Sequence, residues 1–600
     1  MRKSFLVLSM LVLSLFSVLP LSVSADIAVT PADSIQDAID AIEDGGTIYI
    51  GAGTYHVNLV INNPGKSFSM VAADGPGTVV LDGSASGSVI FVQDTNGHTI
   101  TLDGLTITNG SAHGGGGMYD RYSTVIVTNC TFHDNEAYSY YGGGVFNYYS
   151  DASFTNCTFH NNYTYSDGGG MDSDYGVVTV TNCAFYENYA ENAGGGTYNY
   201  LVDITYAGCT FYGNEAYYDG GGMYNDESSP TIMDSSFEYN YAYYGGGMYN
   251  YESYPIVLGC SFDGNEVYYD GGGMYNDESS PTIMDSSFEY NYAYCGGGIY
   301  NYESYPIVMG CSFDGNEAYY YGGGICNYST DVTVTNCFFA SNGAYTSDGG
   351  AFYVRDSNAT VTNCVFEYNF TASNGGAMFN YNSVSFNPID IIVTNCTFYC
   401  NTAFEGNGMY NAWIDSVVTN CIFWDGGNEI QNYSCTPIVT YCDVQGGYVG
   451  EGNIDSEPIF TDAGGDDLSL FGGSPCIDTG TDASIAAYGS VTDDITGLVR
   501  PQYMQYDMGA YEYKNSWTPN VLIPLVSTMQ IKVNSLWQCL QQQLPSDIPE
   551  ELQVLLDEAQ EHMANAKMLS NPIYANGEIN RAMALLEQVS EMLDCGCHLG

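Results

Sequence analysis

Residues 219–269 read DGGGMYNDESSPTIMDSSFEYNYAYYGGGMYNYESYPIVLGCSFDGNEVYY, and from Asp270 the chain repeats nearly the same sentence. The last small residue of each such glycine run falls at Gly117, Gly144, Gly170, Gly196, Gly222, Gly247, Gly273, Gly298, Gly324, Ala351, Ala377 and Gly408, a spacing of 25–27 residues until a final step of 31. A period this regular is a repeat architecture, and the quoted stretch is two turns of it. Each period holds a short β-type run ending in Cys or Ser, then Phe-x-x-Asn, a Tyr/acid stretch, the glycines and an apolar-aromatic-Asn step. Short runs of Val, Ile, Thr and Phe broken by Gly and Asn, with no helical period between them, exclude βαβ units. They predict a solenoid of parallel strands whose turns stack at about 4.8 Å.

Stacking turns a period into columns. Cys130, Cys157, Cys183, Cys209, Ser235, Cys260, Ser286, Cys311, Cys337, Cys364 and Cys396 share one position. Two residues on lie Phe132, Phe159, Phe185, Phe211, Phe237, Phe262, Phe288 and Phe313, continuing to Phe398. Three beyond those come Asn135, Asn162, Asn188, Asn214, Asn240, Asn265, Asn291 and Asn316, continuing to Asn401. A phenylalanine ladder fills a core, and an asparagine ladder satisfies turn backbones. Serine twice replacing cysteine points to a small buried group, so stacked free thiols are expected, with some disulfides between adjacent turns as the alternative.

The chain opens MRKSFLVLSMLVLSLFSVLPLSVSAD: a charged start at Arg2 and Lys3, an apolar run, and a small-residue exit at Ala25. This reads as a secretory signal peptide over 1–25. It carries two of the ten basic residues and none of the 69 acidic ones, so its removal takes the formal charge from −59 to −61. Such a field repels nucleic acid, anionic lipid and polyanions, and attracts divalent cations. With 45% hydrophobic and 14% aromatic residues the chain is nonetheless a core-former rather than an acidic tail. No later stretch reads as a transmembrane helix.

"TPADSIQDAIDAIEDGG" places Ile35, Ala38, Ile39 and Ile42 on one helical face, with Thr30 or Asp33 as cap and Gly45 as stop. This helix, within 26–45, covers the open first edge of the solenoid. The solenoid occupies 46–445 in turns of about 26 residues. Beyond Tyr513 the composition changes: "PSDIPEELQVLLDEAQEHMANAKMLSNP" and "NGEINRAMALLEQVSEML" predict an amphipathic helical hairpin within 514–600. Half of the eight basic residues left after the leader, Lys514, Lys532, Lys567 and Arg581, are concentrated there. The hairpin is a candidate for docking on the helix end, on a second copy or on an envelope partner.

These residues resemble known families. "SIQDAIDAI", the "GTY" after a strand and "LDGLTITNG" resemble the pectin-lyase-like superfamily, and the paired "GGGMYN" and "FEYN" or "FHDN" motifs are similar to polymorphic outer membrane protein repeats; the resemblance spans roughly residues 34–423. "IDSEPIFTDAGGDDLSLFGGSPCIDTG" with "RPQYMQYDMGAYEY" resembles the choice-of-anchor class of surface proteins, giving 446–513 as a terminal β-helix segment. The resemblance implies an all-β solenoid: a right-handed single-stranded parallel β-helix of roughly 13–16 turns, with an N-terminal helical cap and a small C-terminal α-helical hairpin. It also implies a cell-surface or extracellular destination, with outer-membrane association as one form of it.

The superfamily includes polysaccharide lyases, hydrolases and epimerases. Its lyases abstract a sugar proton with Arg or Lys while Ca²⁺ and basic side chains neutralise the substrate carboxylate. Between Asp26 and Tyr513 the chain has only Lys66, Arg121, Arg355 and Arg500. Arg121 and Arg355 are about nine turns, or roughly 40 Å, apart at the stacking distance, so no basic cluster forms. Hydrolysis needs two neighbouring carboxylates, and among 69 acids no pair stands out; Thr492-Asp493-Asp494 is alone in a turn. No catalytic residue and no required cofactor is assigned. His133 and His160 share a column and read as a solvated surface pair.

Glu227, Glu252, Glu278 and Glu303 hold one position in four successive turns, each followed three residues later by proline. Oxygen ligands at adjustable spacing suit Ca²⁺, so a Ca²⁺ ladder stands beside the alternative that the side chains splay into water. Glu215, Tyr241, Glu266, Tyr292 and Glu317 alternate, as do Asp219, Tyr244, Asp270 and Cys295. Alternation spaces like charges by about 10 Å, near the Debye length in 0.1 M salt. Tyr241, Tyr244 and Tyr292 are also candidate contacts for sugar rings or protein surfaces. The sequons at Asn109, Asn327, Asn358, Asn369 and Asn432 are candidate glycan acceptors.

The expected function is an exported cell-surface adhesin or envelope component, not an enzyme, with an extracellular polysaccharide or protein as partner. A polysaccharide lyase or glycoside hydrolase is the alternative. A self-assembling sheath or lattice subunit, joined through the C-terminal helices and Cys539, Cys595 and Cys597, is the third reading.

Overall fold

The computed structural model describes residues 26–383, 389–465, 467–482, 492–502 and 505–514, with residues 556 and 559. The signal peptide and, apart from residues 556 and 559, the predicted helical hairpin lie outside the described residues.

The repeat builds a parallel solenoid of about 14 turns. One turn shows the pattern. Val177–Thr181 belongs to a seventeen-stranded sheet, Ala184–Tyr186 to a sixteen-stranded one, Tyr189–Ala190 to an eleven-stranded one and Thr197–Tyr200 to a fifteen-stranded one. These four sheets are called here the first to fourth faces. Every strand of the four pairs in parallel with its equivalent one turn away; the one antiparallel pairing among them and the rest of the described strands is Phe460–Asp462 with Asp467–Leu470.

The columns are as the period predicts. Phe132 to Phe423 stack ring on ring, with centroids 4.3–5.0 Å apart and nearly parallel planes. All are buried in one continuous apolar core with Ile, Val and Met from the other faces. In the asparagine ladder, Asn214 donates from both its backbone N (3.0 Å) and Nδ2 (3.1 Å) to Asn240 Oδ1, while Asn240 Nδ2 donates to Phe211 O at 2.9 Å. The last rung is Asp425, which accepts from Asn401 N and Nδ2 at 2.8 Å and whose own backbone N donates to Glu429 Oε2 at 3.0 Å. A second asparagine ladder, Asn199 to Asn327, runs through the fourth face with side-chain bonds of 2.8–2.9 Å. It uses the third residue of each strand, the Asn of "TYN", "MYN", "IYN" and "ICN".

The cysteine column contains free thiols, not disulfides. Its role is more than space-filling: Cys157 N donates to Cys183 Sγ at 3.3 Å, and Cys209 N to Ser235 Oγ at 3.0 Å. Each side chain in turn donates to the carbonyl two residues earlier, as Cys209 Sγ does to Ala207 O and Ser235 Oγ to Met233 O. Sulfhydryl and hydroxyl interchange because both accept and donate.

The glycine runs make the tightest corner. Gly220 has φ +65°, and a Cβ on Gly222 would lie 2.5 Å from Gly247 O and 3.0 Å from the Phe237 ring. The next turn therefore closes directly onto backbone.

Three details differ from expectation. The cap of helix Ile35–Ala41 is Ser34, whose side chain accepts from Asp37 N, while Thr30 and Asp33 bond to each other. Ahead of the helix, Ile27–Val29 forms a strand on Ile48–Ile50, so the chain enters the solenoid before its cap. Beyond Ile454 the chain does not add coils but folds back over the second face: Ala510 N donates to Thr397 Oγ1 (2.9 Å) and Asn363 Nδ2 to Asp493 O (2.7 Å). This segment closes on a buried ion pair, Arg500 to Glu512 at 3.1 Å. Asp494 caps a turn by accepting from Thr496 N and Leu498 N.

Candidate functional site

The outward face of the fourth sheet carries two adjacent columns. The first runs Tyr119, Phe146, Asp172, Tyr198, Tyr224, Tyr249, Tyr275, Tyr300, and the second Arg121, Tyr148, Asp174, Tyr200, Asp226, Tyr251, Asp277, Tyr302. From Tyr198 to Tyr300 the rings stack at 4.8–5.1 Å. Tyr198 Oη donates to Asp226 Oδ2 at 2.7 Å and Tyr249 Oη to Asp277 Oδ2 at 3.0 Å. Each hydroxyl thus serves the acid one turn further on.

Asp172 breaks the aromatic column. It is fully buried, and apart from the proton it shares with Asp174 neither carboxylate oxygen meets a donor. Its Cβ packs where a side chain on Gly168 would stand. Tyr141 bridges the gap: its ring is 5.7 Å from Phe146 and 6.5 Å from Tyr198, the two rings that flank Asp172. Burial pushes Asp172 well above the usual carboxylate range, and the charges of Asp174 and Asp167 push it further. Burial likewise pushes Asp174 up to about 7, against a lowering hydrogen bond from Asp172, and raises Asp167. A buried carboxyl without a cation holds its proton.

Beside this trio opens a groove of about 590 Å³, walled by His113, Tyr119, Tyr140, Tyr141, Phe146 and Tyr148 with Asp174 at its side. Tyr119 and Phe146 stack at 5.1 Å. The groove is concave, largely aromatic and provided with one acid, the make-up of a ligand site. None of these residues was selected from the sequence, although "GGGMDSDYG" departs visibly from "GGGMYN" at Asp172.

The sequence-selected residues lie elsewhere. Glu227, Glu252, Glu278 and Glu303 are exposed on a turn column with φ of 45–49°. Beneath them Ser228, Ser253, Ser279 and Ser304 form a buried ladder of N–H to Oγ bonds at 3.0 Å. Among the described residues no group of three or more His, Cys, Asp or Glu is arranged to hold a metal ion. Tyr241 and Tyr292 alternate in register with Glu215, Glu266 and Glu317 and are 38% and 37% exposed, so they project singly rather than as a wall. Tyr244 stands between Asp219 and the Tyr269 ring, which it meets at 5.1 Å. Burial raises the Tyr241 and Tyr244 hydroxyls, with neighbouring acids adding to it.

Two expectations are corrected. His133 and His160 are half-buried and stack at 4.9 Å, continuing onto Tyr186, rather than standing in solvent. Burial lowers His160, as does His133. Asn327 and Asn369 are fully buried ladder members and unfit for glycans, whereas Asn109 and Asn358 are exposed.

The model of the family described as right-handed beta helix region matches residues 80–217, 171–339 and 268–387, together more than half of the sequence. The chain belongs to the right-handed β-helix family. The match covers the whole groove and the stacked columns on either side. Among solved structures this right-handed β-helix protein is similar to pectate lyase Pel9A, at 15% identity over 82% of this chain and 96% of that one, with a TM-score of 0.18. It is similar also to a mannuronic acid specific polysaccharide family 6 lyase from human gut microbiota, at 11% identity over 64% and 86% of the two chains, with a TM-score of 0.26. Likenesses this distant are silent on chemistry. No curated protein matches the chain. No helix among the described residues is long and apolar enough to cross a membrane.

Proposed function

We propose that this β-helix is exported, displayed at the cell surface or in the extracellular space, and binds extracellular polysaccharide as an adhesin or envelope component. The groove of Tyr119, Tyr140, Tyr141, Phe146 and Tyr148 carries this reading. Flat aromatic faces on a rigid sheet suit the C–H faces of sugar rings, and Asp174 supplies a polar anchor. The leader-like start of the chain and its charge support export and solubility. Lyase chemistry is less well supported: Arg121 and Arg355 stand nine rungs apart in one column, and Arg500 is consumed by Glu512.

A hydrolase is the second reading, favoured by Asp172 and Asp174. A carboxyl that holds its proton beside one that ionises near neutrality is the pairing acid–base hydrolysis uses. The deciding experiment incubates the full chain, with Ca²⁺ and with chelator, against neutral and acidic polysaccharides, following retention and chain cleavage together. Retention without cleavage is expected. Cleavage abolished by Asp172→Asn would establish the hydrolase instead, and neither retention nor cleavage would end both readings.

A further inference from the structure

The groove differs from every other turn of its sheet in what it withholds from its acids. Asp226 and Asp277 each accept from a tyrosine one turn earlier. At the equivalent place before Asp174 stands Phe146, which has no hydroxyl to give. Asp172, between Phe146 and Tyr198, is buried with no neutral donor or cation on its oxygens, its hydrogen-bond partner being the carboxyl of Asp174. No cation compensates: Arg121 is two rungs from Asp174, with Tyr148 between them, and lies over the Phe91 ring at 5.9 Å. Buried carboxyls left without donors are costly, and such groups persist where a ligand completes them.

We infer that the groove is a subsite for a protonated amine carried on a sugar ring, with Asp174 as its counter-charge, Asp172 buried behind it, and the aromatic walls holding ring and cation. The inference rests on the polysaccharide reading and names its substrate class: an amino-sugar polymer with free amines. A cation is drawn to aromatic faces as well as to carboxylates, and the walls offer Tyr119, Tyr140, Tyr141 and Phe146. An ammonium group brings three donors to Asp174, which receives none from a tyrosine. The charge of −59 steers a polycation toward the chain and a polyanion away.

The test measures binding of a β-linked glucosamine oligosaccharide, its N-acetylated counterpart and a neutral glucan of equal length to the full chain by calorimetry. The free amine is expected to bind at least about tenfold more tightly than the other two, a difference of about 1.4 kcal/mol. Asp174→Asn should remove that preference. Phe146→Tyr, which hands Asp174 an internal donor as Tyr198 does for Asp226, should weaken amine binding while keeping the fold. Glu457→Gln, which deletes one exposed charge elsewhere, should change nothing. Equal binding of acetylated and free sugars would overturn the amine assignment and leave the polysaccharide reading standing. Failure of all three sugars to bind would overturn both. Equal losses in Asp174→Asn and Glu457→Gln would reduce the effect to diffuse charge attraction and overturn the site. Oligolysine binding with the same Asp174 dependence, without sugar binding, would make the occupant a basic peptide and overturn the sugar assignment.

Discussion

The backbone N–H of Cys209 donates to the Ser235 hydroxyl one turn on, at 3.0 Å, in a position where most turns use a thiol. Ser235→Ala would leave that buried amide unsatisfied, at about 1–3 kcal/mol. Ser235→Cys would restore the acceptor at little cost. Chemical denaturation of both variants, with hydrogen exchange at Cys209, should separate them; equal stability would mean the column only fills space.

Asp120 occupies a position of the fourth face where most other turns place Asn, and its Oδ2 and the neighbouring Asn147 Oδ1 both lack partners. Burial pushes it up to about 7 from 3.8. Asp174 and Asp219 also rise to about 7 and Asp270 to about 6, burial again the largest cause. Between about pH 4 and 7 the folded chain therefore holds more protons than the unfolded one. The stability these groups lend is complete below about pH 4 and is lost as pH rises through 6 and 7. Thermal melts should give a higher Tm at pH 5 than at pH 8. Asp120→Asn, which adds a donor for Asn147, should flatten that slope and gain about 1–3 kcal/mol at pH 8.

Glu252 sits at φ +45° with its side chain exposed. A left-handed conformation costs a non-glycine residue about 1–2 kcal/mol, partly offset by the entropy glycine loses on folding. Glu252→Gly should raise stability by about 0.5–1 kcal/mol in urea denaturation. A loss would show that the carboxylate makes a stabilising contact.

Of the sixteen cysteines described, Cys400 and Cys435 alone are half-buried and the rest are buried. Alkylation of the native chain followed by peptide mass analysis should modify these two before the other fourteen described cysteines. The column thiols should react only on unfolding. Early labelling of Cys209 or Cys311 would contradict the ladder.

The repeat was legible because each turn touches only its neighbours. A residue's contacts are then its own column mates, one period away in sequence, so phenylalanine, cysteine and asparagine ladders can be written down from spacing. The face of an amphipathic segment is likewise local, which is why Ile35, Ala38, Ile39 and Ile42 were legible as the buried side of the cap.

Contacts that break the period were not legible. "MDSD" announces that Asp172 departs from an aromatic column, but its burial depends on Tyr141 swinging in from a loop of the previous turn, at no fixed offset. The return of Ala510 to Thr397 spans 113 residues and obeys no repeat. Sequence by itself determined the solenoid, its turn length and its columns, because translational stacking writes through-space neighbours into the period. Tertiary structure alone decided where acid, aromatic wall and empty space meet, because that junction arises from non-equivalent residues whose proximity no period encodes.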